Sequence, residues 1–539
     1  MQLPNPSNWW TGWRENDLAS CARIFWTWLI ARTLVWPLVV FFAVPNPPMD
    51  VIEVLMWGRE WQFGYHKHPP LSAWLAEIFF QASGESLFGV YLGSYVCVAL
   101  TMWAVWRLAR ELLSPSLALL AVFAMEAIPL YGWLSFEFNC NVVLTACWAH
   151  CILWLFLALK TQSFRYWALF GVSVGLGFLT KYSLAFLAMP ILAFLLIDPR
   201  ARRVWATPGP YLAGCVGVVI ISPHLIWLAS SDYSPASWAL RRTESEKRTP
   251  TGGFEDPDVP PTMMPRRAWD RLENPANFLG NQLLYLAPLG LLFAFGLKGM
   301  RPADSDDDAF NRRFLASLVL GPFGLLLALS LAMGFELRGM WGMPIWAFAG
   351  LAGICFWNVR PARETRLIAA FAGCMAVFTL VMIGQGQILP TVRGKTTRLQ
   401  FPGRQLAEEV TRRWHVHEAG PLPATLGGFW LAGNVSVHSA ERPTTYASPY
   451  PDRPTGPTYA SPWRNDDMIQ SKGGVILWDA HRYGPGLPAS LRRRFPSARL
   501  EEPIRFASER FPRSRPAHIG IALILPAPDG RAAKQDASP

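Results

Sequence analysis

The chain has 539 residues, of which 51% are hydrophobic and only 16% are charged. A soluble protein of this length carries about a quarter charged residues, so the composition excludes an ordinary soluble globular protein. The formal net charge of +11 does not indicate a nucleic-acid partner, because the Arg and Lys residues lie in short loops between apolar segments rather than on one basic face.

Apolar segments close to the ~20 residues that cross a bilayer recur from the N-terminus to about residue 385. They predict a mainly α-helical polytopic membrane protein with about eleven transmembrane helices. The first segment is long enough to be a retained span rather than a cleaved signal peptide. Two short segments, 166–180 and 183–197, are expected to be half-length or tilted helices. The predicted bounds are 20–44, 88–110, 116–133, 141–159, 166–180, 183–197, 210–229, 279–297, 314–334, 340–358 and 366–385.

Basic residues divide the connecting loops into two classes. The loops on one side are rich in Arg and Lys, whereas the short loops on the other side contain only Lys181 and Arg338. Cytoplasmic loops carry the excess of basic residues, so the rich side is predicted to be cytoplasmic. The outer face then holds the loops 45–87 and 230–278 and everything after about residue 386.

Residues 386–539 are predicted to form a small soluble α/β domain, separate from the membrane domain 1–385. LPATLGGFWLAGNVSVHSA (Leu422–Ala440) and GGVILWDA (Gly473–Ala480) alternate short β-like runs with Gly turns. RQLAEEVTRRW (Arg404–Trp414) is typical of an amphipathic helix. A loop rich in Pro and Ser is expected over 442–465.

The first outer loop concentrates ionisable residues. Asp50 and Glu53 precede GYHKHPPLSAWL (Gly64–Leu75), which contains His66, Lys67 and His68. Acidic loop residues are often simply solvated, and two His at i, i+2 without a third ligand make a poor zinc site, so no metal is expected. The N–H groups of Lys67 and the two His favour a cationic pocket for a phosphate oxygen.

The same loop also shows helical spacing. Trp57 and Trp61 are one helical turn apart, which predicts a helix lying along the membrane interface. A second amphipathic helix is predicted over Leu71–Phe80, after the two prolines.

DVIEVLMWGREWQFGYHKHPPLSAWL (Asp50–Leu75) resembles the first outer loop of the GT-C polyprenyl-phosphate-sugar glycosyltransferases. That superfamily includes the protein O-mannosyltransferases and the bacterial lipid A aminoarabinose transferases, and the resemblance extends to rhizobial lipid A sugar transferases. Three later segments are similar to further landmarks of the family: GFLTKYS (Gly177–Ser183), NQLLYLAPLG (Asn281–Gly290) and WGMPIWAFAGL (Trp341–Leu351).

The chain departs from the family pattern at two positions. Val51 follows Asp50, where the family often has Asp-Glu, and Asn141 stands where many members carry a second acid. Glu137, four residues upstream of Asn141, is the alternative for that acid.

The resemblance implies a GT-C fold and an enzyme of the bacterial inner membrane whose active site faces the periplasm. The implied reaction is metal-independent, needs no cofactor, and moves a sugar with inversion from a polyprenyl-phosphate donor to an envelope acceptor. Asp50 is the candidate base, with Glu53 beside it. The candidates for substrate or phosphate binding are Tyr65, Lys67, His68, Asn139, Asn141, Lys181, Tyr182, Tyr285 and Arg338.

Several alternatives stay open at this point. Lys181 alone would also suit a side chain that extends to the membrane surface. The acceptor is a lipid A or core glycolipid, a polysaccharide, or a protein Ser or Thr, and the donor sugar is open. A lipid or sugar transporter would also suit many apolar spans, but no internal repeat is recognisable. An envelope scaffold leaves the ionisable loop unexplained.

Overall fold

A computed structural model describes residues 16–230, 269–298, 306–357, 360–361, 364–447, 461, 463–507 and 510–526. Most of the outer loop predicted over 230–278, and the middle of the loop predicted over 442–465, lie outside these residues.

Helices dominate the chain as far as residue 393. The helices before the second undescribed segment are α1 Leu18–Ala43, α2 Met49–Gly58, α3 Leu71–Ala82, α4 Leu87–Leu112, α5 Pro115–Phe123, α6 Cys140–Thr161, α7 Phe164–Thr180, α8 Ala185–Ile197 and α9 Gly209–Ser230. Those that follow are α10 Asp270–Gly296, α11 Asp306–Met333, α12 Met343–Trp346, α13 Ala349–Trp357, α14 Glu364–Ile383 and α15 Leu389–Arg393. A short antiparallel pair, β1 Leu297–Lys298 and β2 Arg360–Pro361, joins the ends of two of them.

The multi-pass membrane architecture is confirmed, and each of the eleven predicted segments corresponds to a helix or a bent helix pair of the structure. Within the described residues, seven helices are long and apolar enough to cross a bilayer, and two sharply bent helix pairs raise the number to nine. The other two predicted spans correspond to Phe164–Thr180 and Tyr182–Ile197, which are shorter apolar helices. The expectation that this pair is short therefore agrees with the structure.

One of the bent pairs shows why a single span over 116–133 is wrong. The chain turns by 88° between Pro115–Ala127 and Pro129–Phe136. Ile128, which precedes Pro129, is extended at φ −107° and ψ 113°, since the proline ring disfavours the helical conformation of the residue before it. The Arg32 guanidinium in α1 donates to Glu126 at 2.7 Å and to the Tyr131 carbonyl at 2.6 Å, so a buried ion pair braces the bend.

The last long helix runs past the predicted domain boundary at residue 386. After α14, one π-helical turn over Gly384–Ile388 leads into α15, which ends at Arg393. The chain beyond α15 forms a mixed sheet packed with helices, which confirms the α/β class of this part.

Within the described residues, the part of the chain after α15 consists of five α-helices and a six-stranded sheet. The helices are α16 Gly403–His417, α17 Phe429–His438, α18 Asp466–Lys472, α19 Ala480–Tyr483 and α20 Ala489–Arg494. The strands are β3 Ala424–Gly427, β4 Thr444–Ala447, β5 Gly474–Asp479, β6 Arg499–Leu500, β7 Ile504–Phe506 and β8 Ala517–Ile524. The strand order is β4-β3-β5-β8-β6, and β7 also pairs with β8.

Two of the three C-terminal segments singled out in the sequence fold as expected. α16 is the predicted amphipathic helix, with Leu406, Val410 and Trp414 buried on one face, and β5 is the predicted strand in the middle of the sheet. The expectation of β-like runs throughout Leu422–Ala440 is wrong after Gly427. That segment is a strand followed by α17, because β3 and β4 pair in parallel and parallel neighbours need a crossover connection.

Candidate active site

Asp50 lies in the first turn of α2 and is half-buried. Its carboxylate accepts a hydrogen bond of 3.1 Å from the Asn139 side-chain amide. Asn139 is the N-cap of α6, and its side-chain oxygen accepts from the Asn141 backbone N–H at 2.8 Å. Because the cap uses the amide oxygen, the NH2 group must face Asp50. The cap thus orients the acid.

Lys181 approaches the same helix start from the end of α7. It is 9% exposed, and its ammonium donates to the Asn141 side-chain oxygen at 2.7 Å. The ammonium also lies 4.8 Å from the centre of the Trp341 ring, within the range of a cation–π contact. Asn139 and Asn141 therefore connect an acid and a cation across the first turn of one helix.

A second cation comes from the loop that follows α2. The Lys67 ammonium forms a salt bridge with Glu53 and lies 5.1 Å from the centre of the Phe429 ring. Glu53 thus has Lys67 as its partner, which favours a positioning role over the predicted place beside Asp50 in catalysis. His68 Nε2 lies 3.5 Å from Cys140 Sγ, at the first residue of α6, and brings the loop to the same helix start.

His66 differs from the expectation of a cationic pocket made by both histidines. Its ring is buried and stacks on Phe429 with centroids 5.6 Å apart. Burial lowers the pKa of His66 well below its ordinary value, and the charge of Lys67 lowers it further. His66 is therefore neutral at physiological pH, and the positive charge beside it is that of Lys67.

Tyr65 holds the loop to α2. Its ring is fully buried against Trp57, and its hydroxyl donates to the Trp57 carbonyl at 2.6 Å. This role differs from the predicted contact with substrate. Gly64 precedes Tyr65 at a position where an added side-chain carbon would lie 2.4 Å from Trp227. Gly64 thus lets the loop pack against Trp227, and Tyr65 fastens it to α2.

The two tryptophans predicted to share a helix face are separated by the end of α2. Trp57 is 2% exposed, whereas Trp61 is 46% exposed and has a left-handed backbone with φ of 47°. The expectation of one helical face carrying both rings is wrong, because α2 ends at Gly58.

Tyr182 lies next to Lys181 and bonds to a histidine of α9. Its hydroxyl is 2.6 Å from His224 Nε2, and His224 Nδ1 is 2.7 Å from the Phe63 carbonyl. A carbonyl can only accept, so Nδ1 carries the proton and Nε2 of the neutral ring accepts from Tyr182. In this arrangement His224 of α9 joins Tyr182 to Phe63 of the outer loop, and the Tyr182 proton is directed at His224 rather than at a phosphate.

Tyr285 and Arg338 lie beside the loop that leads to Trp341. The Tyr285 hydroxyl lies against Gly339, 2.8 Å from the position of an added side-chain carbon. Arg338 reaches Glu336 at 3.8 Å, and both side chains are about half exposed. Arg338 is thus a solvated cation at the edge of the cluster, where it stays a candidate for an incoming anion.

Glu137 precedes α6 and lies close enough to Asp50 for their charges to interact. Burial, and to a smaller extent the Asp50 charge, raise the pKa of Glu137 to about 8 against the opposing charge of Arg398. Glu137 therefore holds its proton at neutral pH. It is unsuited to be the base, which favours Asp50 for that role.

Three further side chains of the cluster follow only from the fold. Trp341, Cys140 and Phe429 contact Lys181, His68 and Lys67 respectively. Trp341 belongs to a segment that the sequence had marked as a family landmark. Cys140 and Phe429 carry no local signal, since a buried thiol and an aromatic ring are ordinary core residues.

Comparison with known proteins supports the resemblance. Residues 67–227 match the family described as dolichyl-phosphate-mannose-protein mannosyltransferase. The whole chain is similar in structure to ArnT from Cupriavidus metallidurans bound to undecaprenyl phosphate, with a TM-score of 0.60 at 11% identity, over 93% of this chain and 98% of ArnT. The chain has the GT-C fold. The resemblance to the GT-C glycosyltransferases is therefore confirmed.

Two relatives of this chain by sequence come from Rhizobium johnstonii. The chain is 26% identical to the lipid A galacturonosyltransferase RgtD over 188 residues, which are 34% of this chain and 39% of RgtD. It is 24% identical to the lipopolysaccharide core galacturonosyltransferase RgtB over 383 residues, 69% of this chain and 72% of RgtB. The match thus spans about two fifths of one relative and nearly three quarters of the other.

Proposed function

We propose that this protein is a glycosyltransferase of the bacterial inner membrane. It moves a sugar from a polyprenyl-phosphate donor to lipid A or a core glycolipid on the periplasmic face. The observation that carries the proposal is the meeting of one half-buried acid, Asp50, with the cations Lys67 and Lys181 around the start of α6. The names of the relatives, which act on lipid A and on lipopolysaccharide core, favour the acceptor.

The reaction needs a base on one side of the sugar and positive charge on the other. Asp50 takes the proton of the acceptor hydroxyl while the oxygen of that hydroxyl forms the new bond to the anomeric carbon. The bond from that carbon to the phosphate oxygen breaks, and its electron pair leaves with polyprenyl phosphate. An in-line displacement of this kind inverts the anomeric centre. A phosphate monoester is a stable leaving group, so cations at its oxygens suffice and an acid is not needed.

The assignments to single residues follow the contacts. Lys181 binds a phosphate oxygen, and the Lys67–His68 pair supplies the second group of N–H donors. Asn139 orients Asp50, and Asn141 orients Lys181. Arg338 and Tyr285, at the edge of the cluster, are assigned to the entering substrate.

The test is envelope mass spectrometry of a strain that produces only the Asp50→Asn variant, beside wild type and a deletion. We expect the variant to be present at normal levels while the same sugar mass disappears as in the deletion. The missing mass identifies both sugar and acceptor. Asp467→Asn is the matched control, because Asp467 is an exposed acid in the first turn of α18, and it should leave the modification intact.

Two other outcomes decide against parts of the proposal. Full modification by Asp50→Asn, together with its loss in the deletion, excludes Asp50 as the base and makes Glu53 or Glu137 the next candidate. An unchanged glycan profile in the deletion favours a transporter.

A protein acceptor is the second candidate, favoured by the family match over residues 67–227. The same experiment separates the two acceptors. A hexose lost from Ser or Thr of a secreted protein, with lipid A unchanged, supports an O-mannosyltransferase-like enzyme.

A further inference from the structure

The C-terminal helix α17 lies directly on α2, the helix that carries Asp50. Gly433 of α17 faces Ile52 and Met56, and a side-chain carbon at this glycine would lie 2.4 Å from Ile52 Cγ2 and 2.5 Å from Met56 Sδ. Ordinary contacts begin at 3.4 Å. The two helices are therefore as close as the absence of a side chain at Gly433 allows.

The first residue of α17 extends this contact to the cationic loop. The Phe429 ring stacks on His66, with centroids 5.6 Å apart, and lies 5.1 Å from the Lys67 ammonium. One short helix of the C-terminal part thus contacts both the acid-bearing helix and the loop that supplies the cation.

Three polar contacts hold the C-terminal part in this place. Arg442, just beyond α17, makes a two-pronged ion pair with Glu77 of α3, with both bonds at 2.8 Å. Arg464 donates from the single nitrogen Nη2 to both carboxylate oxygens of Glu60, at 2.7 and 2.8 Å. His438, at the end of α17, bonds to Asn46 at 3.0 Å. Paired guanidinium–carboxylate contacts fix orientation as well as distance.

We propose that α17 is a positioning element of the active site, and that Gly433 sets the place of Asp50 by letting α2 pack directly on α17. This inference rests on the proposed transfer reaction. A displacement of about 1 Å at a reacting group can reduce turnover by about 100-fold. The tight contact between α2 and α17 therefore affects the rate by setting the position of Asp50. Gly433 touches neither donor nor acceptor in this account.

The test is Gly433→Ala in the full-length protein, with Gly420→Ala as the control. Gly420 lies in the C-terminal part at a position where an added carbon meets nothing within 4 Å. Alanine also favours a helix over glycine by about 1 kcal/mol, so weakening of α17 itself is not a cause of any loss. We measure kcat and KM for the sugar transfer found in the envelope, binding of undecaprenyl phosphate, and thermal stability in detergent.

The expected result is a fall in kcat of about 10- to 100-fold with undecaprenyl phosphate still bound, and wild-type kinetics for the control. Ile52→Ala introduced into the Gly433→Ala protein removes the colliding methyl group of the stiff, β-branched neighbour. The Met56 thioether, 2.5 Å from the added carbon, is unbranched and can turn aside, so we expect this second substitution to restore a large part of kcat. That rescue would not follow from a general folding defect.

Three results overturn the inference. One is equal turnover in Gly433→Ala and Gly420→Ala. Another is parallel loss of kcat, undecaprenyl phosphate binding and thermal stability without rescue by Ile52→Ala. The third is a wild-type protein that transfers no sugar, which overturns the proposed function as well. With an active wild type, only the positioning role of α17 is at stake.

Discussion

Lys181 is held in place before any phosphate arrives. The Asn141 oxygen and the Trp341 ring fix its ammonium, and only 9% of the residue is exposed. A charge kept at a membrane site is costly unless it serves a purpose. Lys181→Met should therefore raise the dissociation constant for undecaprenyl phosphate by about 10- to 100-fold, the loss of one charge-assisted hydrogen bond. Binding to the purified protein in detergent measures this.

The control for that substitution is Lys160→Met. Lys160 lies in the last turn of α6, the helix whose first turn holds Lys181 through Asn141, with 53% of its side chain exposed, and it pairs with Glu111. It should change the dissociation constant by less than about 2-fold, as expected for a surface ion pair. Equal effects of the two substitutions would mean that Lys181 contributes only to the overall positive charge of the protein and does not bind the phosphate.

The raised pKa of Glu137 predicts that the stability of the folded protein depends on pH. Its pKa is raised from 4.5 to about 8, so the folded protein binds this proton more tightly than the unfolded chain. The stabilisation is complete below about pH 4.5 and is lost as the pH rises to about 8. Thermal stability of the wild type in detergent should therefore decline as the pH rises from about 4.5 to about 8 and level off above that, and Glu137→Gln, which keeps the uncharged form, should flatten that decline.

The activity of Glu137→Gln distinguishes the two acids. Because Glu137 is protonated at pH 7, its amide replacement should keep turnover at neutral pH within about 3-fold, whereas removing a base typically reduces turnover by about 100-fold or more. An inactive Glu137→Gln protein of normal stability would assign the base to Glu137 instead of Asp50.

At the scale of elements, α3 bears a buried acid that anchors the C-terminal part. Glu77 is 0% exposed and accepts two bonds from Arg442, whereas Glu85 reaches the same guanidinium at 3.4 Å with 50% of its side chain exposed. Removing one partner of a buried pair leaves an uncompensated charge, so Glu77→Gln should destabilise the protein by about 3–5 kcal/mol. Glu85→Gln is the matched control on the same arginine and should cost less than about 1 kcal/mol.

Thermal unfolding in detergent checks this pair of variants. A large difference between their apparent Tm values is the expected result. Similar values for both variants would show that the contact between α3 and Arg442 contributes little to holding the C-terminal part in place.

The elements differ in how well their local sequence determines them. Long apolar runs and the periodic spacing of Leu406, Val410 and Trp414 predicted helices correctly, because burial of one face repeats along the chain. The segment containing Val435 and Val437 has β-branched residues and glycines and yet is a helix, since the parallel sheet around it requires a crossover. Local propensity is weaker than this tertiary requirement.

The residues of the site also differ in how well the sequence alone predicts their roles. The residue types of the outer loop pointed to Lys67 as a cation, and the resemblance to the GT-C family pointed to Asp50 as the base. It did not show that Asn139, 89 residues away, orients the acid, or that Tyr65 and His66 are buried parts of the loop. Contacts between distant segments leave no periodic signal, so they emerge only when α2, α6 and α17 are packed together.

At the scale of the whole molecule, the active site and the C-terminal part share one face of the membrane domain, because Phe429 contacts Lys67. A reporter protein fused to the C-terminus therefore shows on which side of the membrane both of them lie. The scarcity of basic residues in the short loops holding Lys181 and Arg338 predicts the outer face. Alkaline phosphatase fused after Pro539 should be active and a green fluorescent protein fused there should be dark, with the reverse for fusions after Gln162, between α6 and α7. The opposite pattern would place Asp50 in the cytoplasm, within reach of nucleotide sugars, and a polyprenyl-phosphate donor on the periplasmic face could no longer supply the reaction.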